Sequence, residues 1–359
     1  MSCLRRRFRR IHPVVAGLAL IGALPAPAAG QDAIVDPEPT RANARAGDAG
    51  PMAPFARMIP GEWKMTVESG TSSFRTWHWG PGRHSMRVMT DGFDAAGNPW
   101  RDLDVFYWHP GGGQVREFGV SQFARGVTEG AITFEGETWR SDFDLFQTGG
   151  RRTLRLIWDF DGPDRYHATL QEASPGESRR YTTLVEWDLL RTSPSSPPRP
   201  LAVEGATKPS DLLRPLELLL GTWEAKMGQA IAGALHTRAT LEWIPLADAI
   251  YARVLAPANH GEPAHLLDAY LYHHTGAGTL RCLALSERGG VYEGDVTVLD
   301  DGALQLGLKG YEGGQQATHV VRIDFGGDDA LRTRAWSLEG DERTLRLDLH
   351  HHKAGMGSD

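Results

Sequence analysis

Hydrophobic and polar residues alternate along most of this chain in short runs, which is typical of strands that bury one face. Turns rich in Gly, Asp and Pro separate the runs, and only PFARMIPG and RPLELLLG favour short helices. The runs include RTWHW, LDVFYWH, AITFEG and TLRLIWDF, then TRATLEW, LDAYLYH, THVVRIDF and LRLDLHH. The pattern predicts an antiparallel meander of about seven to ten strands in each half, enough to close a β-barrel without exposed edges.

The two halves of the chain resemble each other. The matching segments are 60–68 with 220–228, 79–88 with 243–254, and 97–130 with 261–294. The last pair aligns without a gap, which places Asp104 opposite Asp268 and His109 opposite His273. Self-similarity of this length indicates a tandem duplication, and two units predict two similar β-barrel domains.

The ends and the middle of the chain differ in composition from the repeats. Basic residues, a short apolar run at 14–24 and small residues after it predict a signal peptide over 1–30, with the general export route favoured over the twin-arginine route. The protein is therefore expected in the periplasm or the medium. The other expected boundaries are a disordered spacer 31–50, a first barrel 51–191, a Pro/Ser-rich linker 192–210, a second barrel 211–352 and a tail 353–359.

Charge and cysteine content exclude several kinds of partner. Loss of five Arg with the leader changes the net charge from −7 to −12, which argues against nucleic acid and anionic membranes as partners. The apolar run is too short for a membrane span. Cys3 leaves with the leader and Cys282 stands alone, so no intramolecular disulfide is expected. We find no cofactor motif, and the adjacent histidines 350–352 point to alternating sides of a strand, so no metal site is predicted.

A short apolar lead-in followed by Gly-x-Trp opens each copy, at Gly61-Glu62-Trp63 and Gly221-Thr222-Trp223. With the meander that follows, this resembles the lipocalin or calycin superfamily. The tandem copies are similar to the uncharacterised lipocalin-like domains of exported bacterial proteins. The resemblance implies a calycin-like barrel that holds a hydrophobic small molecule; a few relatives are enzymes such as isomerases and cyclases.

The strands LDVFYWH and LDAYLYH each have an acidic–aromatic face and an aliphatic face. The acidic–aromatic faces are Asp104, Phe106, Trp108 and Asp268, Tyr270, Tyr272. The aliphatic faces are Leu103, Val105, Tyr107, His109 and Leu267, Ala269, Leu271, His273. An inward acidic–aromatic face would orient a ligand with one carboxylate and aromatic walls. Aliphatic faces usually point inward, however, and the sequence favours that arrangement.

Histidine and aspartate on these strands are the weak catalytic candidates: Asp104, His109, Asp268 and His273. Histidine transfers protons near neutral pH. Within one strand, however, Asp104 and His109 lie about 17 Å apart on opposite faces, so they cannot form a dyad there. A role in capping the turn is favoured over catalysis.

Tryptophan and arginine residues supply the remaining candidates. Indole rings beside guanidinium groups stack on aromatic ligands and bind carboxylates. The predicted ligand-binding residues are Trp77, Trp79, Arg87, Phe106 and Trp108 in the first copy, and Trp243, Arg253, Tyr270 and Tyr272 in the second. Packing of Trp79 and Trp243 in the core is the favoured alternative role for these two residues. The first copy is the better candidate because of its additional Trp residues: Trp77, Trp100, Trp108, Trp139 and Trp158.

The sequence therefore favours a binding protein for a small, largely apolar or aromatic molecule, without a cofactor. Two alternatives stay open. One is an isomerase- or cyclase-type enzyme that uses His, Asp or Tyr in a dry barrel. The other is a non-catalytic envelope interaction module whose barrels are filled by side chains. The oligomeric state is left open.

Overall fold

The structure is a computed structural model that describes most of the two repeats. The described residues are 50–59, 61–66, 72–94, 96–122, 124–174, 177–192, 211–226, 236–244, 247–256 and 263–354. The predicted signal peptide lies outside them, as do 31–49 of the spacer, 193–210 of the linker and 355–359 of the tail.

The first repeat forms a closed barrel of ten antiparallel strands. Its strands are β1 (Glu62–Thr66), β2 (Ser72–Trp79), β3 (Ser85–Phe93), β4 (Pro99–His109), β5 (Gln114–Ser121), β6 (Gly126–Glu135), β7 (Thr138–Gln147), β8 (Gly150–Phe160), β9 (Arg165–Ser174) and β10 (Glu177–Thr192). Each strand pairs with its neighbour in the chain, and β1 pairs with β10 to close the barrel.

The second repeat forms another closed ten-stranded antiparallel barrel. Its strands are β11 (Gly221–Lys226), β12 (His236–Ile244), β13 (Ala249–Ala256), β14 (Ala264–His274), β15 (Thr279–Ser286), β16 (Val291–Val298), β17 (Leu304–Glu312), β18 (Gln315–Phe325), β19 (Ala330–Glu339) and β20 (Glu342–Lys353). The protein is thus all-β, with two tandem calycin-like barrels, as the sequence predicted.

The Gly-x-Trp segments join each barrel to its short lead-in helix. These are 3-10 helices at Gly50–Met58 and Arg214–Leu219. The indole of Trp63 donates a hydrogen bond to the Met58 carbonyl at 3.1 Å, and Trp223 donates to the Leu219 carbonyl at 2.7 Å. The glycine two residues before each Trp has a positive φ, 127° at Gly61, so the chain turns sharply there at little cost. The buried Trp therefore fixes each helix to the start of its barrel.

The two barrels pack against each other through an apolar cluster contributed by both. Its buried members include Leu103, Val105, Tyr107, Phe118 and Val120 of the first barrel, and Tyr251, Tyr270, Tyr272, Leu283 and Leu285 of the second. Reciprocal ion pairs flank the cluster, because Arg116 lies 3.4 Å from Glu293 and Arg281 lies 3.2 Å from Glu129. The interface is therefore pseudo-symmetric, with equivalent strands of each repeat meeting about an approximate two-fold axis.

This interface corrects the expected orientation of β4. The aliphatic face of the second copy points inward, as expected, and Leu267, Ala269 and Leu271 lie in that barrel's core. In the first copy the aliphatic face points outward, because the second barrel covers Leu103 and Val105. The aliphatic face of β4 is thus buried against the neighbouring barrel and not in the core of its own barrel.

The gap-free alignment of the repeats is also shifted by one residue along β4. His109 and His274 are the equivalent residues, since each contacts the glutamate of the opposite barrel, at 3.5 Å from Glu293 and 3.4 Å from Glu129. A shift of one residue in a strand moves a side chain to the opposite face. Asp104 and Asp268 therefore lie on opposite faces of their barrels.

Candidate binding site inside the first barrel

Aromatic rings form much of the inner wall of the first barrel. Trp77 and Phe106 are stacked, with ring centroids 5.9 Å apart and planes inclined by 13°. Trp139 and Trp158 meet edge to face with centroids 6.0 Å apart. Phe55 of the lead-in helix lies against this wall, 5.1 Å from Phe106 between centroids. The helix thus closes one end of an aromatic interior.

A group of charged side chains interrupts the wall. Asp104 faces inward on β4, and Glu117 faces inward on the adjacent β5. The Glu117 carboxyl group accepts a hydrogen bond from the Ser141 hydroxyl on β7. Arg75 on β2 lies close enough to Asp104 and Tyr166 to interact with both. One cation and two carboxyl groups therefore share the barrel interior.

Burial changes the acidity of both carboxyl groups. Burial, helped by the nearby charge of Asp104, raises the pKa of Glu117 to about 8, although the bond from Ser141 and the charge of Arg75 act in the opposite direction. Burial also raises the pKa of Asp104, against the effect of Arg75. Glu117 consequently holds a proton at neutral pH and acts as a hydrogen-bond donor as well as an acceptor.

Several other polar atoms inside this barrel are buried without a hydrogen-bond partner among the described residues. They are Ser73 Oγ, Thr90 Oγ1, Thr128 Oγ1, Trp77 Nε1 and Trp158 Nε1. Native interiors normally satisfy such groups with protein, water or ligand, because each unsatisfied group costs about 1–3 kcal/mol. Asp104 and Trp108 also point inward yet remain only half-buried. The interior is therefore polar in places, and part of its lining is accessible to solvent.

The second barrel has a different interior. Its core is mainly aliphatic, and it includes Leu241 at the position equivalent to Trp77. Cys282 lies within it, and burial raises the pKa of this thiol to about 12, so the thiol is un-ionised and unreactive. Trp243 packs partly buried against the same core. An aliphatic lining of this kind offers few specific contacts to a ligand.

The residues predicted to bind a ligand fall into two groups. Trp77, Trp79, Phe106 and Trp108 belong to the core of the first barrel or pack against it. Tyr270 and Tyr272 lie instead in the apolar cluster between the barrels, and Arg87 stacks on Tyr251 there. Arg253 is exposed and borders a cleft between the two barrels, which Arg87 and Tyr251 also line. The structure therefore does not bring the candidates of the second copy into one barrel interior.

The structure does not bring the four weak catalytic candidates together either. His109 caps the turn after β4, since its Nδ1 accepts a hydrogen bond from the Gly112 amide at 2.9 Å. His273 is half-buried, and its neighbour His274 caps the corresponding turn through the Ala277 amide at 3.0 Å. Asp268 is buried between the barrels, where the Tyr251 hydroxyl donates to it at 2.6 Å. Asp104 faces the interior of the first barrel, and His273 lies on the inward face of β14 in the second barrel, so these two remain in different barrels.

Sequence reasoning missed Glu117, Ser141 and Tyr166. The signal for Glu117 was present, because a charged residue alternates with Val115 and Gly119 in a strand whose other face is Phe118 and Val120. Ser141 and Tyr166 approach Glu117 and Arg75 through barrel closure, which no local pattern reveals.

No group of histidine, cysteine and acidic side chains suited to a metal ion occurs in the described part of the chain. Within the same part, no helix is long and apolar enough to cross a membrane.

No protein-family model matches the chain, and no curated protein matches it. Among solved structures, it is similar to EF1p2_mFAP2b bound to DFHBI, with 16% identity over 38% of this chain and 96% of the other, at a TM-score of 0.22. A DUF3598-family protein of unknown function from Nostoc punctiforme PCC 73102 shows 14% identity over 85% of this chain and 98% of the other, at a TM-score of 0.24. The beta domain of the Bordetella autotransporter BrkA shows 10% identity over 81% of this chain and 96% of the other, at a TM-score of 0.12. At TM-scores this low the likeness carries no argument about function.

Proposed function

We propose that the first barrel binds a small, largely apolar or aromatic molecule that carries an uncharged polar group. The main support is the set of buried polar atoms that lie behind an aromatic wall without a partner among the described residues. A ligand hydroxyl, carbonyl or amide would supply hydrogen bonds to these atoms, while its ring would pack against Trp77 and Phe106.

The charges inside the barrel favour a neutral ligand. Glu117 holds its proton at neutral pH, and Arg75 lies beside the Asp104 carboxyl group. A ligand charge of either sign would have to be buried without a free counter-charge, which is costly. Neutral polar groups avoid that cost and still use Glu117 as donor or acceptor.

The lipocalin resemblance and the predicted leader extend this proposal. A calycin-type barrel that carries apolar molecules outside the cytoplasm would need no cofactor and no disulfide. We therefore propose that the protein acts in the periplasm or the medium. This part rests on the sequence alone.

A proton-transfer enzyme of the isomerase or cyclase type is the second candidate. The observation that favours it is the pair Asp104 and Glu117, since a carboxyl group with a pKa of about 8 both gives and takes protons near neutrality. Glu117→Gln would abolish turnover and retain binding in that case. A binding protein would show no turnover with any ligand.

The first test is native mass spectrometry of the mature protein purified from its own host. We expect a bound mass that disappears on denaturation. Binding of the neutral fluorescent probe N-phenyl-1-naphthylamine provides a second test that needs no natural ligand. Weaker binding of the probe in a Trp77 variant would place the probe inside the first barrel.

Trp77→Leu tests the site directly, because Leu is the residue that the second barrel has at the equivalent position. We expect the probe to bind about three- to tenfold more weakly, through the loss of ring stacking. Trp336→Ala, an outward-facing change on the second barrel, serves as the matched control. Unchanged affinity in a folded Trp77→Leu protein would remove Trp77 from the site. Failure of the probe to bind, together with a clean apo mass, would argue against the binding function itself.

A further inference from the structure

A cavity of about 350 Å³ lies between the two barrels, outside both interiors. Trp79 and Arg87 line it from the first barrel, and Tyr251, His265 and Asp268 line it from the second. Its volume falls within the range of small-molecule sites. Because both barrels contribute walls, the cleft exists only in the two-barrel protein.

Arg87 is the central cation of this cleft. Its guanidinium carbon lies 4.2 Å from the centroid of the Tyr251 ring, a stacked arrangement that fixes the plane of the group. Its Nε is buried and forms no hydrogen bond with any described residue. Within the described chain, no ion pair reaches Arg87 either. The other interface arginines differ, since Arg116 and Arg281 each contact a glutamate of the opposite barrel.

The nearby Asp268 carboxylate forms no ion pair with Arg87 in the described part of the chain, and its oxygens contact other groups instead. Asp268 is 2% exposed. It accepts a hydrogen bond from the Tyr251 hydroxyl at 2.6 Å, and it contacts His265 Nε2 at 2.7 Å. Its second oxygen faces the backbone of Gly80, where a Cβ atom would stand 3.3 Å away. Asp268 thus holds the Tyr251 ring in place beneath Arg87.

The remaining walls combine an aromatic surface with groups of both charges. Trp79 and Leu255 border the cleft, and Arg253 lies at the rim as a second cation. Glu242 also borders the cleft, but it is exposed and solvated. Burial lowers the pKa of His78, and the charge of Arg87 lowers it further, so this imidazole is neutral and able to donate a hydrogen bond.

We propose that the inter-barrel cleft binds a small aromatic carboxylate. The carboxylate meets the fixed edge of the Arg87 guanidinium, which has no ion-pair contact among the described residues, and the aromatic body lies in the rest of the cleft, which Trp79 and Leu255 border. Planar guanidinium groups recognise carboxylates through paired hydrogen bonds, which favours this anion over a spherical one. The inference is independent of ligand binding inside the first barrel.

Calorimetric titration of the full mature chain with indole-3-acetate tests the proposal, with indole-3-ethanol as the uncharged control ligand. We expect the carboxylate to bind measurably and the alcohol at least about tenfold more weakly. Arg87→Gln should weaken the binding of indole-3-acetate by about 10- to 100-fold. Arg87→Lys should weaken it by less, since Lys keeps the charge without the planar donor edge. Arg165→Gln, an exposed change on β9, should leave affinity unchanged.

The outcomes separate this site from the barrel interior. Trp77→Leu should not change the affinity for indole-3-acetate, because Trp77 lies inside the first barrel. Loss of affinity in Trp77→Leu with none in Arg87→Gln would place the ligand in the barrel and overturn the proposal. Equal affinity for acid and alcohol, or no binding of the acid, would overturn it as well. Circular dichroism and thermal melting of each variant distinguish lost binding from lost folding.

Discussion

Glu117 has an environment very different from that of an ordinary surface carboxyl group. It is buried beside Asp104, and its pKa of about 8 lies well above its ordinary value of 4.5. The folded protein therefore holds a proton on Glu117 across a pH range in which the unfolded chain has released it. Where the native state binds more protons than the unfolded state, stability falls as pH rises.

We accordingly expect the free energy of unfolding to decrease between about pH 4.5 and about pH 8, by up to about 1.4 kcal/mol per pH unit from this group. Glu117→Gln removes the titrating group and should flatten the dependence. Urea unfolding at a series of pH values measures it, with the exposed Glu135→Gln as control. Parallel curves for wild type and Glu117→Gln would show that Glu117 titrates normally.

The turns after β4 and β14 each lie closely against an aromatic ring of the opposite barrel. A Cβ at Gly111 would stand 2.5 Å from the Tyr311 ring, and one at Gly276 would stand 2.6 Å from the Phe146 ring. These are equivalent positions in the two repeats. Each turn therefore requires glycine because an aromatic ring of the opposite barrel covers it.

Gly111→Ala should destabilise the protein by about 1–3 kcal/mol, since a rigid ring must move to admit the methyl group. Gly112→Ala is the matched control, because its Cβ would meet no atom closer than 3.5 Å. The second repeat already has alanine, Ala277, at that position. Thermal melting of the two variants measures the difference, and equal melting temperatures would mean that Tyr311 does not press on the turn.

Sequence patterns predicted elements well and their surroundings less well. The strand runs, the lead-in helices and the Gly-x-Trp starts all have local causes, so they could be predicted from residues. The inward face of β4 could not, because a domain distant in sequence buries Leu103 and Val105. For the same reason Tyr270 and Tyr272, which were predicted to bind a ligand, lie at the interface instead. The group around Glu117 depends on closure of β2, β5, β7 and β9 around one interior, which periodicity does not show.

At the scale of the whole molecule, the two barrels form one unit through a large shared apolar surface. The second barrel contributes Tyr270, Tyr272, Leu283 and Leu285 to it, all nearly fully buried. Without the first barrel these side chains would form an exposed apolar patch of the kind that drives association.

We expect residues 211–354 expressed alone to self-associate or aggregate, whereas the full chain keeps this surface covered. Light scattering coupled to size-exclusion chromatography measures the mass of each. Leu283→Arg in the fragment should reduce association by placing a charge in the patch. A stable monomeric fragment without this change would contradict the importance of the interface.

The pseudo-symmetric docking of the barrels has a consequence for how the sequence can vary. On β4, even-numbered residues face the interior and odd-numbered residues face the other barrel, whereas on β14 the two sets are reversed. Substitutions of the inward-facing residues change the lining of a barrel. Substitutions of the other set change its contact with the neighbouring barrel. One strand therefore encodes both the lining of a barrel and its attachment to the other barrel, and substitutions in either set can accumulate without changing the other.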